Sequence, residues 1–290
     1  MTSAVTGAHE AMHVLAEMIR VEGRWTDQII SPQTVGSRFG STPRKTLEVR
    51  GTRVVITNPL DRRIPKLCKA VNDAFLVANT LWSLSPEADA QDIIRFNERG
   101  RSFLDDAGDL VCSIPGRLFG DQPSENQLAS ILKILKDDAM SRRAIISFLR
   151  PTDLDTQPRD FPCPASAQFL VRDGRLDCVL YMRSQSLIGV FPYDVFLFTS
   201  MQEAVAVHLG LSPGSLFHLC GSLHIYEDEI EALNQVLACH ESSVPMHRMN
   251  TDFLLRLPGN FVTLAGVGQA EHLMSGEYSE WLDMVRALAR

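Results

Sequence analysis

One cysteine out of six, Cys163, stands between two prolines in the run Phe161-Pro162-Cys163-Pro164. A thiol is either a small core residue or, as the thiolate, a nucleophile that adds to an electron-poor carbon. Arg183 is the candidate neighbour that would favour the thiolate by its charge. The Arg142–Arg143 pair is either a solvated surface feature or two planar forks suited to bidentate contact with a dianion such as phosphate. His224 and Tyr226 lie two residues apart in a strand-like run, so they face the same side. They can meet one ligand hydroxyl, or else form a core histidine beside a half-buried tyrosine. Asp194 heads a strongly apolar stretch, where an unpaired buried carboxylate would be costly and a purely structural role explains it poorly. The remaining cysteines (Cys68, Cys112, Cys178, Cys220 and Cys239) lack C-x-x-C pairs or histidines at metal-like spacing. Their scatter predicts reduced thiols, no disulfide framework and no metal site.

These residues need a large scaffold. With 290 residues, 45% hydrophobic and 22% charged, the chain has the composition of a globular protein, not of a fibrous or largely disordered one. A net charge of −7 argues against a general nucleic-acid coat. No apolar run approaches the ~18 residues of a membrane span, and Glu10 and Glu17 interrupt any signal-peptide core. A cytoplasmic protein is expected. Helical spacing predicts an opening helix over 8–20, a buried helix over 67–84, a helix started by Pro86, an amphipathic helix over 127–138 and a buried helix from Pro192. The stretch 108–126 reads as loop, and the region from Thr46 as two short strands. The best hairpin turns at Asp173–Gly174, between strand-like runs over 166–184. One α+β domain spanning 1–290 is expected, with no repeat or linker.

In order along the chain come Ser141-Arg142-Arg143, Pro162-Cys163-Pro164, the run ending in Arg183-Ser184, Pro192-Tyr193-Asp194, and Gly221 through His224 to Tyr226. This series closely resembles the thymidylate synthase family over roughly residues 10 to 235. The resemblance implies a thymidylate synthase-like domain whose mixed β-sheet forms a dimer interface around a central buried helix. It implies Cys163 as nucleophile toward C6 of a pyrimidine nucleotide, and Arg183 in contact with both the sulfur and the nucleotide phosphate. Ser184 and Arg38 join the nucleotide-binding set, and His224 with Tyr226 meets the ribose. Arg142 and Arg143 would reach across an obligate homodimer to the partner's phosphate site. Arg38 sits in a loop that departs from the family, so Arg44 or Lys45 could serve instead. The implied co-substrate is 5,10-methylenetetrahydrofolate, with no metal.

Departures from the family pattern bear on the substrate. Asp194 replaces an Asn that reads uracil. A carboxyl group accepts from the cytosine amino group and, when protonated, donates to N3, and it can act as general acid during thiol addition. Asn to Asp marks the cytidylate hydroxymethylases of the family, so CMP or dCMP is the expected substrate and CMP the preferred one, in nucleoside-antibiotic synthesis. Asp160 stands where methyl-forming members carry Leu, which suits admission of water and a 5-hydroxymethyl product, or is simply a surface loop residue. Trp82 matches a family Trp. Asn79 replaces a catalytic Glu, Ser186 an Asp that contacts the folate, and Pro164 the His after the nucleophile. Residues from about 240 to 290 match nothing in the family pattern.

Overall fold

The computed structural model describes residues 3–27, 44–86, 88–120, 122–243 and 245–246. Its frame is one mixed sheet. Strands β1 (Ser3–Val5), β3 (Lys45–Ile56), β7 (Ser212–Tyr226), β6 (Arg175–Ser186), β5 (Pro164–Arg172) and β4 (Ile145–Ser147) lie side by side in that order, and β2 (Arg24–Asp27) pairs with β3. The β5–β6 hairpin turns where expected. Asp173 and Gly174 both take positive φ (51° and 71°), which matches the twist of the flanking strands.

Two neighbouring pairs are parallel, β1 with β3 and β6 with β7, and a parallel pair needs a crossover. Helix α1 (Ala8–Glu22) supplies the first and α7 (Phe191–His208) the second. Helix α7 is buried around almost its whole circumference, including Thr199, Ser200, Gln202 and Glu203 at 0% exposure. Its polar groups are answered from neighbouring elements. Arg62, itself buried, donates to Ser200 Oγ at 2.7 Å and to Glu203 Oε2 at 2.5 Å. Gln202 donates to the Leu176 carbonyl of β6.

Several boundaries differ from the sequence expectation. β3 runs unbroken from Lys45 to Ile56 where two strands were expected, with Gly51 at positive φ inside it. The helix expected over 67–84 begins only at Asp73 (α2, Asp73–Ser83), because the Asn72 side chain accepts from the Phe75 amide and caps it there. Pro86 starts nothing; Asp89 caps the short α3 (Ala90–Ile94). The expected loop over 108–126 contains α4 (Ile114–Phe119), capped by Ser113 with Pro115 in its first turn. Helices α5 (Gln127–Asp137), α6 (Pro151–Thr156) and α8 (Ile230–Ala238) complete the set. Among the described residues no helix is long and apolar enough to cross a membrane.

The expectation of six reduced thiols fails at one pair. Cys68 and Cys239, 171 residues apart, are joined as a disulfide where the end of α8 comes alongside the loop before α2. Separation of that order hides any pairing from the sequence. Cys112, Cys163, Cys178 and Cys220 are free, and Cys178 is core on β6, as expected.

Removing one partner of a buried ion pair strands the other charge, at a cost of about 3–5 kcal/mol. Arg62→Met should therefore lower the free energy of unfolding by that order in a urea titration. The double replacement Arg62→Met with Glu203→Leu should recover most of the loss.

Candidate active site

The ends of β5, β6 and β7, the first turn of α7 and one face of α2 enclose a cavity of about 570 Å³. Its walls carry ten of the residues singled out in the sequence: Asn79, Trp82, Asp160, Cys163, Arg183, Ser184, Ser186, Asp194, His224 and Tyr226. Phe75, Ile93, Ile94 and Phe103 add an apolar wall suited to flat ligands. Neither Arg142 nor Arg143 lines it. Both are exposed just before β4, so within one chain they stay outside. Arg38 lies outside the described residues, as does most of the segment after 240.

The loop carrying Cys163 is bolted to β6. The Arg183 amide donates to the Cys163 carbonyl at 2.9 Å. The Arg183 guanidinium donates to the carbonyls of Pro162 (2.7 Å) and Phe161 (3.1 Å) and lies 4.8 Å from the Phe161 ring centroid. This arginine therefore positions the nucleophile as well as facing the cavity. Its charge does not win the thiol's titration, contrary to expectation. Burial pushes Cys163 up to about 11; Arg183 pulls it down and Asp194 pushes it further up.

Asp194 sits in the first turn of α7, and burial pushes its carboxyl up to about 7, opposed by a hydrogen bond from Gln185. Gln185 Nε2 donates to Asp194 Oδ2 at 2.8 Å, and Gln185 Oε1 lies 3.1 Å from His218 Nε2. Both Gln185 and His218 are buried, at 1% and 0% exposure. Burial holds His218 down at about 4, so its ring is neutral and donates through Nε2 to the amide oxygen. That assignment orients the amide and leaves Oδ2 as an acceptor, so the carboxyl proton belongs on Oδ1. Gln185 was missed in the sequence. The available signal was strand alternation, which puts Gln185 on the same face of β6 as Arg183.

His224 and Tyr226 do share a face of β7, their rings edge to face at 5.3 Å. Burial lowers the His224 pKa. Arg44 stacks on the Tyr226 ring at 3.7 Å and pairs with Asp228, which brings this alternative to Arg38 beside the His224–Tyr226 pair. Asp160 accepts from the Cys112 amide at 2.6 Å through Oδ2, while its buried Oδ1 has no hydrogen-bond partner among the described residues. Burial raises its pKa. Asp160 is thus a wall residue beside the thiol, not a surface loop aspartate. Behind it, Arg117 bridges Cys112 Sγ (2.7 Å) and Asp153 Oδ1 (2.6 Å) in a buried cluster the sequence did not reveal. Ser186 accepts from the Gly189 amide, which ties it to the turn before α7.

A thiol, an arginine holding its loop, a buried carboxyl and a histidine–tyrosine pair around one flat cavity form a site for covalent attack on a planar ligand. The thymidylate synthase family model matches residues 68–257, and the chain belongs to that family. It is 30% identical over 231 residues to a deoxyuridylate hydroxymethyltransferase of Pseudomonas phage M6, covering 78% of this chain and 62% of the relative. A deoxyuridylate hydroxymethyltransferase of Bacillus phage SP01 is 28% identical over 197 residues, or 64% and 51% of the two chains. A thymidylate synthase of Staphylococcus haemolyticus is 32% identical over 127 residues, 44% and 40%. The matches thus span between two fifths and three fifths of these relatives' own lengths.

A carboxyl with a folded pKa of about 7 against 3.8 unfolded binds more protons when folded, so its contribution worsens as pH rises from about 4 to 7. Asp194→Asn removes that cost. It should raise the melting temperature relative to the parent at pH 8 and leave the difference small at pH 4. An equal shift at both pH values would contradict the buried carboxyl.

Proposed function

We propose that this protein is a cytidylate 5-hydroxymethylase, converting CMP (or dCMP) to its 5-hydroxymethyl derivative with 5,10-methylenetetrahydrofolate as one-carbon donor. The observation that carries the reading is the Asp194 carboxyl, held by Gln185 in the same cavity as the Cys163 thiol. With Oδ2 an acceptor and the proton on Oδ1, Asp194 matches the cytosine edge: Oδ1–H donates to N3 and Oδ2 accepts from the N4 amino group. Its pKa near 7 suits a general acid at working pH.

The reaction then divides among the residues of the chain. Cys163 adds through sulfur to C6 of the base while Asp194 delivers its proton to N3, which makes C5 nucleophilic toward the one-carbon unit. The folate supplies that unit at the formaldehyde oxidation level. The apolar wall of Phe75, Trp82, Ile93, Ile94 and Phe103 suits its flat rings, with Asn79 and Ser186 the polar groups beside it. C5 loses its proton, tetrahydrofolate departs, and water adds to the exocyclic methylene. Asp160, a polar residue of the cavity wall, would orient that water. Expulsion of the Cys163 sulfur restores the ring. His224 and Tyr226 hold the sugar, aided by Ser184, and Arg183 meets the phosphate. In an obligate homodimer the partner's Arg142 and Arg143 complete the phosphate site.

The activity of the phage relatives, deoxyuridylate hydroxymethyltransferases, supports hydroxymethyl rather than methyl transfer. It also favours a second reading, that uridylate is the base. Asp194 argues for cytosine, and the resemblance to the cytidylate hydroxymethylase of the mildiomycin pathway argues for CMP in nucleoside-antibiotic synthesis.

Incubating the protein and the folate with CMP, dCMP, UMP and dUMP separates these readings by product mass. A hydroxymethyl increment on cytidylates is expected. A product on uridylates alone overturns the base assignment, and a methyl increment overturns the water step. Cytidylate kcat/KM should rise with pH up to about 7 and level off above it, where loss of the Asp194 proton offsets the growing Cys163 thiolate fraction. Asp194→Asn should abolish that levelling and move preference to uridylates. Gln185→Leu should lower cytidylate kcat/KM by about two- to tenfold, the worth of one hydrogen bond to a neutral buried carboxyl. Cys163→Ser should end turnover while nucleotide binding persists. Sedimentation should show a dimer, and a monomer at micromolar concentration would contradict the shared phosphate site.

A further inference from the structure

We propose that the protein has a second site, remote from the cavity, in which the reduced sulfurs of Cys68 and Cys239 and the imidazole Nε2 of His9 hold one zinc-class cation. The three ligand atoms lie within 4.8 Å of one another, drawn from the first turn of α1, the loop before α2 and the C-cap of α8. No spacing rule could have joined positions 9, 68 and 239, which is why the sequence predicts no metal.

Burial and donor chemistry fit the ion. His9 is 7% exposed and Cys68 0%, while Cys239 is half-buried and leaves a way in. Two thiolates and an imidazole are the donor set that zinc takes in tetrahedral sites, with water able to fill the fourth position. His9 Nε2 faces Cys68 Sγ at 3.8 Å, too far for a strong bond and close enough to turn toward a shared ion.

The other side of the ring supplies the second observation. His9 Nδ1 is buried with no hydrogen-bond partner among the described residues, and so is Asp61 Oδ1. Asp61 is anchored at the start of α1, its carbonyl accepting from the Ala8 amide at 2.7 Å and its carboxylate packed so tightly over Gly7 that a Cβ there would collide with it. Its charge acts on the His9 ring. A histidine that ligates a metal through one nitrogen characteristically donates its other N–H to a carboxylate, which fixes the tautomer and strengthens the ligand. Rotation of Asp61 toward Nδ1 would satisfy both orphaned atoms at once, but only with Nε2 unprotonated and free to ligate.

In this structure the two sulfurs are joined, and a disulfide has no thiolate to offer. Metal binding therefore belongs to the dithiol form, and the two states exclude each other. Loading the dithiol releases two thiol protons to solvent and involves no change of oxidation state. The bound ion would tie α1 and α8 to the segment that leads through Asn72 into α2, the helix that lines the cavity.

The test uses the full chain, reduced by a phosphine without oxygen, loaded with zinc, desalted and assayed for metal. One zinc per chain is expected, with loss of stoichiometric binding in Cys239→Ser and His9→Ala and about 10–100-fold weaker binding in Asp61→Asn. Cobalt loaded instead should show a thiolate-to-cobalt charge-transfer band that Cys239→Ser weakens. Circular dichroism of each variant separates a lost ligand from a lost fold. The proposal is overturned if the folded, reduced protein binds no more zinc than the Cys68→Ser/Cys239→Ser double variant. It is equally overturned if the cobalt complex lacks the thiolate band, or if the sulfurs stay bonded under the reductant.

Discussion

Helix α7 has no solvent face, and that constraint organises the molecule. A helix buried on all sides must find an internal partner for every polar group it carries, because each unpaired one costs as much as a lost hydrogen bond or more. Arg62 meets this need for Ser200 and Glu203, and the β6 carbonyl of Leu176 meets it for Gln202 Nε2 but not for Gln202 Oε1, which has no hydrogen-bond partner among the described residues. At the other end of the helix, Gln185 meets it for Asp194. The same burial that demands these partners sets the chemistry, since it is what lifts the Asp194 carboxyl toward neutrality.

Charge in the cavity is accordingly scarce. Burial raises both Cys163 and Asp194, and the Asp194 charge raises Cys163 further. A protonated Asp194 thus eases formation of the Cys163 thiolate. Arg183 is the nearby cation. It spends its donors on the loop that carries the thiol, so the position of the nucleophile and the field that acts on it have a common source.

Membership of the thymidylate synthase family accounts for the cysteine, the arginine and the histidine–tyrosine pair on one wall. Asn79 on α2 and Ser186 on β6 stand in place of the family pattern's acidic residues, and both line the cavity.

The sequence by itself determined the ordered motifs, the hairpin at Asp173–Gly174, the extreme apolarity of α7 and the shared face of His224 and Tyr226. Each of these is local: a turn that demands positive φ, a run with no polar side, a period of two. Helix starts such as Asn72 and Ser113 were missed because a side-chain cap overrides the surrounding apolar pattern. Tertiary structure alone decided the rest. The Gln185–His218 contact behind Asp194, the Arg62–Glu203 pair, the Cys112–Asp160 hydrogen bond and the meeting of His9, Cys68 and Cys239 all join residues far apart in the chain. Their pKa values followed, since burial outweighs the charge of a neighbouring arginine, and burial is a property of the packed chain.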